Sequence, residues 1–272
     1  MRPAVALVVP CHNYGRYVEE ALRSVAAQTR LPDELVVVDD GSSDGTADIV
    51  DRVLADLAAV LPRARQVRQD NQGLAGAVER GLAETTAPLV AVVSADDRLA
   101  PGFVDALAAA LDAHPLAGFA YPRMRMFGDE HGICRTYPFD VDRLLFDHNY
   151  VPGISMMRRV AYREAGGLRA LPAHEDWDLF LGMAERGWTG VLVPEVLYEW
   201  RRHATARNHL GLGRRLRLRV AVLAGHPRLL ARRAHMALPW TAFALGRRVA
   251  VRLRPAAAAA VRSESGWVEV GS

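Results

Sequence analysis

The sequence has no lysine and only two cysteines in its 272 residues. Cys11 and Cys134 are far apart, and neither belongs to a Cys-x-x-Cys pair. The sequence therefore suggests neither a disulfide framework nor a cysteine zinc site. A reducing compartment, the cytoplasm, fits this cysteine usage best.

A long apolar run is also missing. The longest uncharged apolar stretch, residues 234–246, is shorter than the about 20 residues that a membrane-spanning helix needs. The first residues, MRPAVALVVP, lead directly into the polar segment CHNYGRY, which is typical of a first strand and not of a secretory signal. We therefore expect no transmembrane segment.

Charge is distributed very unevenly along the chain. Residues 201–272 contain 15 arginines and two acids, Glu264 and Glu269, which gives 15 − 2 = +13. Because the whole chain carries +3, residues 1–200 carry 3 − 13 = −10. The sequence thus predicts an acidic body and a basic tail.

In the first half, short β-branched runs alternate with helical patterns, as in β-α-β units on a mainly parallel sheet. The predicted strands cover residues 5–9, 35–38 and 89–93, with a later strand at 190–193. The predicted helices cover residues 17–28, 46–60, 73–83 and 176–186, and one more runs from Pro101 to the His114-Pro115 pair. Residues 119–149 give a weak pattern, which predicts irregular strands and loops.

Beyond His203 the sequence becomes an Arg-rich amphipathic helical pattern, interrupted at Pro227 and Pro239. Such a segment can lie on an anionic membrane surface, pack its leucines on the preceding domain, or bind nucleic acid. No stacking motif or known nucleic-acid-binding module accompanies the charge, which disfavours the third interpretation. We place a boundary near Ala204, with an α/β domain over 1–204 and a basic helical appendage over 205–272.

Three polar clusters follow predicted strands: residues 10–13 (PCHN), 39–45 (DDGSSDG) and 94–97 (SADD). Ligands of open α/β sheets bind at the carboxyl ends of the strands. Carboxylates gathered there repel one another unless a cation neutralises them, and a divalent metal held by one or two carboxylates, phosphate and water would do so. A carboxylate at Asp40 could also accept a hydrogen bond from the imide N–H of a base.

Each cluster also has a purely structural interpretation. Residues 39–46 can form a strand-to-helix turn with Asp44 or Thr46 as N-cap, and Asp96-Asp97 can cap the helix that follows Pro101. The spacing of residues 39–45 excludes an EF-hand. Acidic residues in the segment HEDWD, residues 174–178, can simply favour the helix dipole, and this segment lacks the His-Glu-x-x-His pattern of zinc proteases.

Taken together, the motifs resemble family 2 of the inverting glycosyltransferases, which have a GT-A fold. The likeness runs from about Val5 to His203. The matching strings, in order, are VVPCHNYGRYVEEALRSVAAQT, ELVVVDDGSSDGTADIV, RQDNQGLAGAVERGL, VVSADDRLAP, PGISMMRRVAYREAGGL, HEDWDLFLGMAERGW and YEWRRH. The resemblance implies the α/β GT-A fold, with a mixed, mainly parallel sheet flanked by helices.

The resemblance also implies roles for individual residues. Six of them would line the nucleotide pocket: Pro10, His12, Asn13, Asp40, Asn71 and Gly73. Asp96 and Asp97 match the metal-binding acidic motif, with Asp97 as the expected direct ligand of Mg²⁺ or Mn²⁺, and Asp96 also near the nucleotide. His203 would contact the metal or the diphosphate.

The same resemblance assigns Asp176 as the catalytic base and Glu175 as a residue that orients it or the acceptor. Asp176 would take the proton of the acceptor hydroxyl while the metal absorbs charge on the departing diphosphate. A single displacement of this kind inverts the anomeric carbon. Residues 150–155, including Ser155, fall where relatives shape the acceptor site.

The implied function is transfer of a hexosyl or related sugar from a nucleoside diphosphate, with UDP expected, to a hydroxyl in surface polysaccharide, glycolipid or glycoconjugate assembly. The setting would be the cytoplasm, or the inner face of the membrane if the basic tail lies near a lipid-linked acceptor. A nucleic-acid partner is not expected.

Two departures from the family pattern leave an alternative open. Ser94 stands where relatives often have Asp, and Ala77-Val78-Glu79 stands where they have Ala-Arg-Asn, with Arg80 as a conceivable substitute cation. The chain could therefore be a non-catalytic nucleotide-sugar-binding relative. A sugar-nucleotide pyrophosphorylase is improbable, because it would need a lysine.

Overall fold

The computed structural model describes residues 2–203, 212–237, 262–263 and 266–269. Within these residues the strands are β1 (Val5–Cys11), β2 (Glu34–Asp40), β3 (Ala64–Gln69), β4 (Leu89–Val92), β5 (Arg98–Leu99), β6 (Ala117–Gly128), β7 (Gly132–Cys134), β8 (Met156–Arg158), β9 (Thr189–Arg202), β10 (Arg262–Ser263) and β11 (Gly266–Glu269). The α-helices are α1 (Val18–Ala26), α2 (Thr46–Asp56), α3 (Gly73–Ala83), α4 (Phe103–Ala113), α5 (Val141–Phe146), α6 (Arg159–Ala165), α7 (Glu175–Glu185), α8 (Leu212–Ala224) and α9 (Pro227–Arg233).

One mixed, mainly parallel sheet organises the molecule. Its strand order is β3-β2-β1-β4-β8-β6-β7-β11-β10, and β9 pairs with both β6 and β5. β1, β2, β3 and β4 run parallel, while β8 is antiparallel to both β4 and β6. β6 therefore runs in the direction of β4, and so does β9, which pairs parallel with β6. The carboxyl ends of all these parallel strands open on one edge of the sheet.

Helices cover both faces of the sheet. Apolar residues of α1, α2 and α4 pack with side chains such as Leu7 and Val37 on one face. Residues of α3, α5, α6 and α7 pack with Val8, Val38 and Tyr121 on the other. Because successive residues of a strand point to opposite faces, the uninterrupted apolar runs of β1 and β2 serve both layers.

The described helices of the basic appendage pack on this second layer. Val222 of α8 is fully buried and Leu229 of α9 is 4% exposed, and both belong to the core around α7. Between the two helices, the His226 ring lies 3.0 Å from the Asp178 carboxylate of α7, which also pairs with Arg169. Burial by itself raises the pKa of Asp178, but the hydrogen bonds from His226 and Arg169 outweigh it and lower the pKa. None of the described helices has the length and apolarity that crossing a bilayer requires.

Most predicted elements of the first half are confirmed, with small differences at the ends. Strand β3 was not predicted, because its sequence, ARQVRQ, is largely polar and its residues remain partly accessible at the edge of the sheet. The weak region after residue 119 holds the long strand β6, followed by helix α5, which Asp140 caps through the amides of Asp142 and Arg143. The N-cap position of α2 is Gly45, although the Asp44 carboxylate does accept a hydrogen bond from the Thr46 amide.

The close approach of α3 to the sheet depends on a glycine. A Cβ atom at Gly81 would overlap a methyl group of Val8 and lie 3.1 Å from a methyl group of Val38. Neither valine can move its methyl groups easily, since β-branched side chains are stiff.

We expect Gly81→Ala to lower the free energy of unfolding, because overpacking costs about 1–3 kcal/mol and exceeds the gain in helix propensity. Gly213→Ala in α8 is the matched control, since a Cβ atom there meets nothing within 4 Å. The control should gain up to about 1 kcal/mol, and urea denaturation measures both. A Gly81→Ala protein as stable as the parent would contradict the packing described.

Candidate active site

The loops after β1 and β2 are locked together by Asn13. This residue has a positive φ of 58°, a conformation that asparagine tolerates better than most residues. Its backbone amide donates to the Ser42 hydroxyl at 2.9 Å, and its side-chain oxygen accepts from the backbone amide of Ser43 at 2.8 Å. Pro10 precedes this loop within β1 and is buried.

His12 and Asn71 meet beside this loop. The Nδ1 atom of His12 lies 2.8 Å from the carbonyl oxygen of Asp40, and the Asn71 side-chain nitrogen lies 3.1 and 3.2 Å from the two ring nitrogens. The structure thus brings residues of three separate motifs into one exposed cluster. All six residues predicted for the nucleotide pocket lie at or next to this cluster.

The Asp40 carboxylate organises the start of α3. It accepts hydrogen bonds from the Gln72 amide at 2.8 Å, the Gly73 amide at 2.9 Å and the Gln69 side chain at 2.7 Å. Gly73 adopts a φ of 75°, which glycine allows without strain. A carboxylate has about four acceptor positions, so Asp40 keeps little capacity for a further donor. Its contact with a base remains a prediction.

Asp39 is the carboxylate that the sequence interpretation missed. It is 4% exposed, and its Oδ1 atom has no hydrogen-bond partner among the described residues. Burial, together with the charge of Asp39, raises the pKa of the neighbouring Cys11 thiol to about 12, so this cysteine stays protonated. The signal in the sequence is the Asp39-Asp40 pair at the end of a predicted strand, because strand alternation turns the two side chains to opposite faces.

Asp97 is a structural carboxylate. It is 2% exposed, and it accepts hydrogen bonds from the Tyr198 hydroxyl and from the Arg201 amide, the latter at 2.7 Å. Burial, and then the charge of Asp96, raise its pKa well above the ordinary value, against the hydrogen bonds from Tyr198, Arg201 and Ser94. Both oxygens are thus engaged within the protein. The role of Asp97 as the direct metal ligand stays a prediction.

Asp96 is more accessible than Asp97 and lies beside His203. Its Oδ2 atom lies 3.0 Å from Nε2 of His203, which follows the last residue of β9, and both side chains are partly accessible. Arg201 donates from Nε to the carbonyl oxygen of Asp96 at 2.7 Å and holds this loop in place. The Tyr17 ring lies against the His203 ring, with 5.2 Å between the centroids.

A carboxylate oxygen suits Mg²⁺ and Mn²⁺, and an imidazole nitrogen is a common ligand of transition metals, so the pair fits a divalent cation such as Mn²⁺. The described residues contain no group of three or more His, Cys, Asp or Glu side chains arranged to hold a metal. Asp96 and His203 would therefore supply at most two ligands. The remaining ligands would have to come from phosphate oxygens and water, which is how Mg²⁺ is commonly bound at phosphate sites.

Asp176 lies in the first turn of α7. Its carboxylate accepts hydrogen bonds from the Trp177 amide at 2.8 Å and from the Asn149 side chain at 3.0 Å. Burial raises the pKa of Asp176, and the hydrogen bond from Trp177 offsets only part of this effect. A carboxylate with a raised pKa is a stronger base than a solvated one, which suits proton abstraction. The neighbouring Glu175 is buried, and its charge also raises the pKa of Asp176.

Asn149 was not predicted from the sequence, where no pattern marks it. Because β8 is antiparallel, the segment before it lies at the carboxyl edge of β4, and Asn149 reaches Asp176 from there. Ser155, in contrast, is fully buried and donates to the Pro152 carbonyl at 2.6 Å. Ser155 therefore does not contact an acceptor, contrary to the expectation from its position in the sequence.

The departures in α3 also have structural explanations. Val78 is fully buried in the core, and Glu79 accepts a hydrogen bond from the Tyr162 hydroxyl. Arg80 pairs with Glu84 at 2.9 Å on the exposed side of the helix. Arg80 thus behaves as a surface arginine of α3 and does not replace the missing cation.

Residues 6–166 match the family described as glycosyl transferase family 2. The chain belongs to glycosyl transferase family 2. Among the curated relatives of this glycosyltransferase, the putative glycosyltransferase EpsE of Bacillus subtilis is 28% identical over 75% of this chain and 75% of its own length. An uncharacterized glycosyltransferase of Nostoc, alr2836, is 36% identical, but the match covers 34% of this chain and 28% of the relative.

Solved structures show the same fold. Staphylococcus aureus TarS 1-349 in complex with UDP-GlcNAc aligns over 92% of this glycosyltransferase and 76% of that chain, with a TM-score of 0.68 and 17% identity. The mannosyltransferase PcManGT from Pyrobaculum calidifontis, in complex with GDP-Man and Mn²⁺, aligns over 93% and 81%, with a TM-score of 0.59 and 22% identity. The predicted GT-A fold is confirmed.

Replacement by alanine should destabilise the protein much more at Asp97 than at the adjacent Asp96. We expect Asp97→Ala to lower the free energy of unfolding by about 2 kcal/mol or more, because it leaves the Tyr198 hydroxyl and the Arg201 amide buried without an acceptor. Asp96→Ala, at a partly accessible site, should change it by less than about 1 kcal/mol. Urea denaturation of both variants measures the difference. Equal stability of the two variants would show that Asp97 does not hold β9 in place.

Proposed function

We propose that this glycosyltransferase moves a sugar from a nucleoside diphosphate, with UDP as the nucleotide, to an acceptor hydroxyl with inversion at the anomeric carbon. The observation that carries the proposal is the placement of Asp176, a carboxylate with a raised pKa, at the same edge of the sheet as the Asp96–His203 pair. The TarS and PcManGT structures, solved with UDP-GlcNAc and with GDP-Man and Mn²⁺, support a nucleotide-sugar donor.

The donor end of the site consists of the nucleotide cluster and the Asp96–His203 pair. His12, Asn13 and Asn71 would surround the base, with Asp39 or Asp40 accepting its imide N–H. Asp96 and His203 would hold Mg²⁺ or Mn²⁺ against the diphosphate. A divalent cation bound there supplies positive charge that stabilises the leaving diphosphate.

Asp176 acts at the acceptor end. Its raised pKa favours uptake of the proton that the acceptor hydroxyl loses, and Asn149 holds the carboxylate in a fixed orientation. Attack from the face of the sugar opposite the diphosphate inverts the anomeric centre. Glu175, adjacent in the first turn of α7, contributes negative charge that keeps the base strong.

The alternative of a non-catalytic relative is disfavoured by the same residues. A protein that only binds a nucleotide sugar has no need of a partly buried carboxylate with a raised pKa at this edge of the sheet, and Asp176 is such a carboxylate. Ser94, the departure in the acidic motif, is used to donate a hydrogen bond to Asp97. We place the reaction in the cytoplasm, in surface polysaccharide or glycolipid assembly.

Asp176→Asn should lower the rate of sugar transfer by about 10²–10⁴-fold, because the amide cannot accept the proton. Stabilisation by UDP with Mn²⁺ in a thermal shift assay should persist, since Asp176 does not touch the donor cluster. Asp112→Asn, at an exposed position of α4, is the control and should retain the parent rate. UDP release reports the rate, and an unchanged rate in Asp176→Asn would refute the assignment of the base.

We further propose that α8 contacts an anionic membrane surface. Leu216 and Val220 are 63% and 60% exposed on this helix, beside the exposed Arg214 and Arg217. Apolar side chains flanked by arginines are typical of helices that lie in the interface of anionic bilayers.

Replacement of Leu216 and Val220 by serine should weaken binding to phosphatidylglycerol vesicles by about tenfold or more, since both side chains would otherwise enter the interface. The matched control is Leu116→Ser, which alters a leucine that is 81% exposed just after α4. These substitutions are preferable to deleting the appendage, because Val222 and Leu229 belong to the core. Cosedimentation that is unaffected by the double substitution would exclude α8 as the contact.

A further inference from the structure

Two arginines of β6 form an open basic row. Arg123 and Arg125 are exposed and alternate with Met124 and Met126, which face the core on the other side of the sheet. Strand alternation therefore places both arginines on the face of Tyr121, the face that α7 covers. Two residues of a strand span about 7 Å, so the row continues from Tyr121 towards the carboxyl edge of the sheet.

The charge of this row is not compensated locally. The side chains of Arg123 and Arg125 make no hydrogen bond or ion pair with any residue that the structure describes, while their backbones pair with the neighbouring strands. Of the acids on the adjoining strand and loop, Glu199 pairs with Arg98 at 2.8 Å and Glu130 pairs with Arg202 at 3.0 Å, whereas Glu195 and Asp129 are exposed. The row is therefore free to bind an anion.

A cavity of about 310 Å³ opens at this row, with Arg123, Ile133, Cys134, Arg135, Thr136 and Tyr137 around it. This volume lies at the lower end of the range of small-ligand sites. The Thr136 hydroxyl is buried there and has no hydrogen-bond partner among the described residues. An unpartnered buried hydroxyl is costly, and a ligand oxygen would satisfy it.

The row connects the two halves of the active site. At one end, the Tyr137 ring packs on His148, with 6.4 Å between centroids, and the next residue, Asn149, holds Asp176. At the other end, Phe127 lies under the Arg201 guanidinium, at 4.3 Å, and Arg201 donates to the Asp96 carbonyl. The row therefore lies between the contacts that lead to Asp176 and those that lead to Asp96.

We propose that this row and its cavity form an acceptor subsite that binds a phosphate group carried by the acceptor. The inference rests on the proposed sugar transfer, because it names the chemistry of the acceptor. Guanidinium groups recognise phosphate oxygens through paired N–H donors, and Arg123 and Arg125 present two such groups on one face. The Thr136 hydroxyl donates to, or accepts from, the unit next to the phosphate. The phosphate belongs to a soluble phosphodiester acceptor or to the headgroup of a lipid-linked one.

The first arm of the test uses glycerol 3-phosphate with the full chain, saturated with UDP and Mg²⁺ to fill the donor site. Binding broadens the ³¹P resonance of the probe. Arg123→Gln/Arg125→Gln should weaken this binding by roughly tenfold or more, since each charged hydrogen bond to phosphate contributes about that factor. Arg163→Gln/Arg186→Gln is the matched control, with two exposed arginines on other elements, and should bind as the parent does.

The second arm uses vesicles of phosphatidylcholine with about 20% phosphatidylglycerol, at a charge density that attracts basic surfaces. A loss of cosedimentation in Arg123→Gln/Arg125→Gln, but not in the control pair, assigns the phosphate to a lipid headgroup. Loss of glycerol 3-phosphate binding with unchanged cosedimentation assigns it to a soluble acceptor. If the double variant matches the parent in both arms, or if the parent binds neither probe, the subsite is refuted.

Thermal stabilisation of the parent protein by UDP and a divalent metal distinguishes failure of the acceptor subsite from failure of the proposed function. If the parent binds UDP but the arginines have no effect on either probe, only the acceptor subsite is wrong. If UDP itself does not stabilise the protein, the donor site and the transfer reaction are wrong as well.

Discussion

The buried carboxylate of Asp97 is the contact on which the arrangement of this active site depends. It receives the Tyr198 hydroxyl and the Arg201 amide, and so ties the loop after β4 to the far end of β9. Together with the hydrogen bond from Arg201 to the Asp96 carbonyl, this tie holds His203 3.0 Å from Asp96. The hydrogen bonds offset the free-energy cost of burying this carboxylate, as is general for buried polar groups.

In three places of the site, acids close together in the sequence have different burial and different partners. Asp97 is buried and hydrogen-bonded while Asp96 is partly accessible, and Asp40 fixes the turn before α3 while Asp39 has an oxygen without a partner among the described residues. On α7, Asp176 is the proposed base, and Asp178 binds Arg169 and His226. The appendage helices are therefore part of the support of the catalytic helix, because α8 and α9 reach it through His226 and the buried Val222 and Leu229.

Much of the fold could be predicted because its signals are local. Buried parallel strands appear as continuous β-branched runs, and helix α3 was predicted with its observed ends. Strands β3 and β6 could not be predicted in this way. β3 is a polar edge strand, and in β6 exposed arginines alternate with buried methionines. The pairing of β6 with β9 joins residues far apart in the sequence, and no local pattern encodes it.

For the site, the residue types and their order along the chain were enough to indicate a nucleotide cluster, a metal-binding acid and a base. They were not enough to show which of two adjacent acids is buried and which is accessible. Asp97 is the buried acid of the pair because β9 supplies Tyr198 and Arg201 to it, and Asn149 reaches Asp176 because β8 runs antiparallel. Whether a side chain can bind a metal or take up a proton depends on its residue type, which the sequence shows directly. Burial, partner and direction are set by contacts between distant segments, which exist only once the sheet has formed.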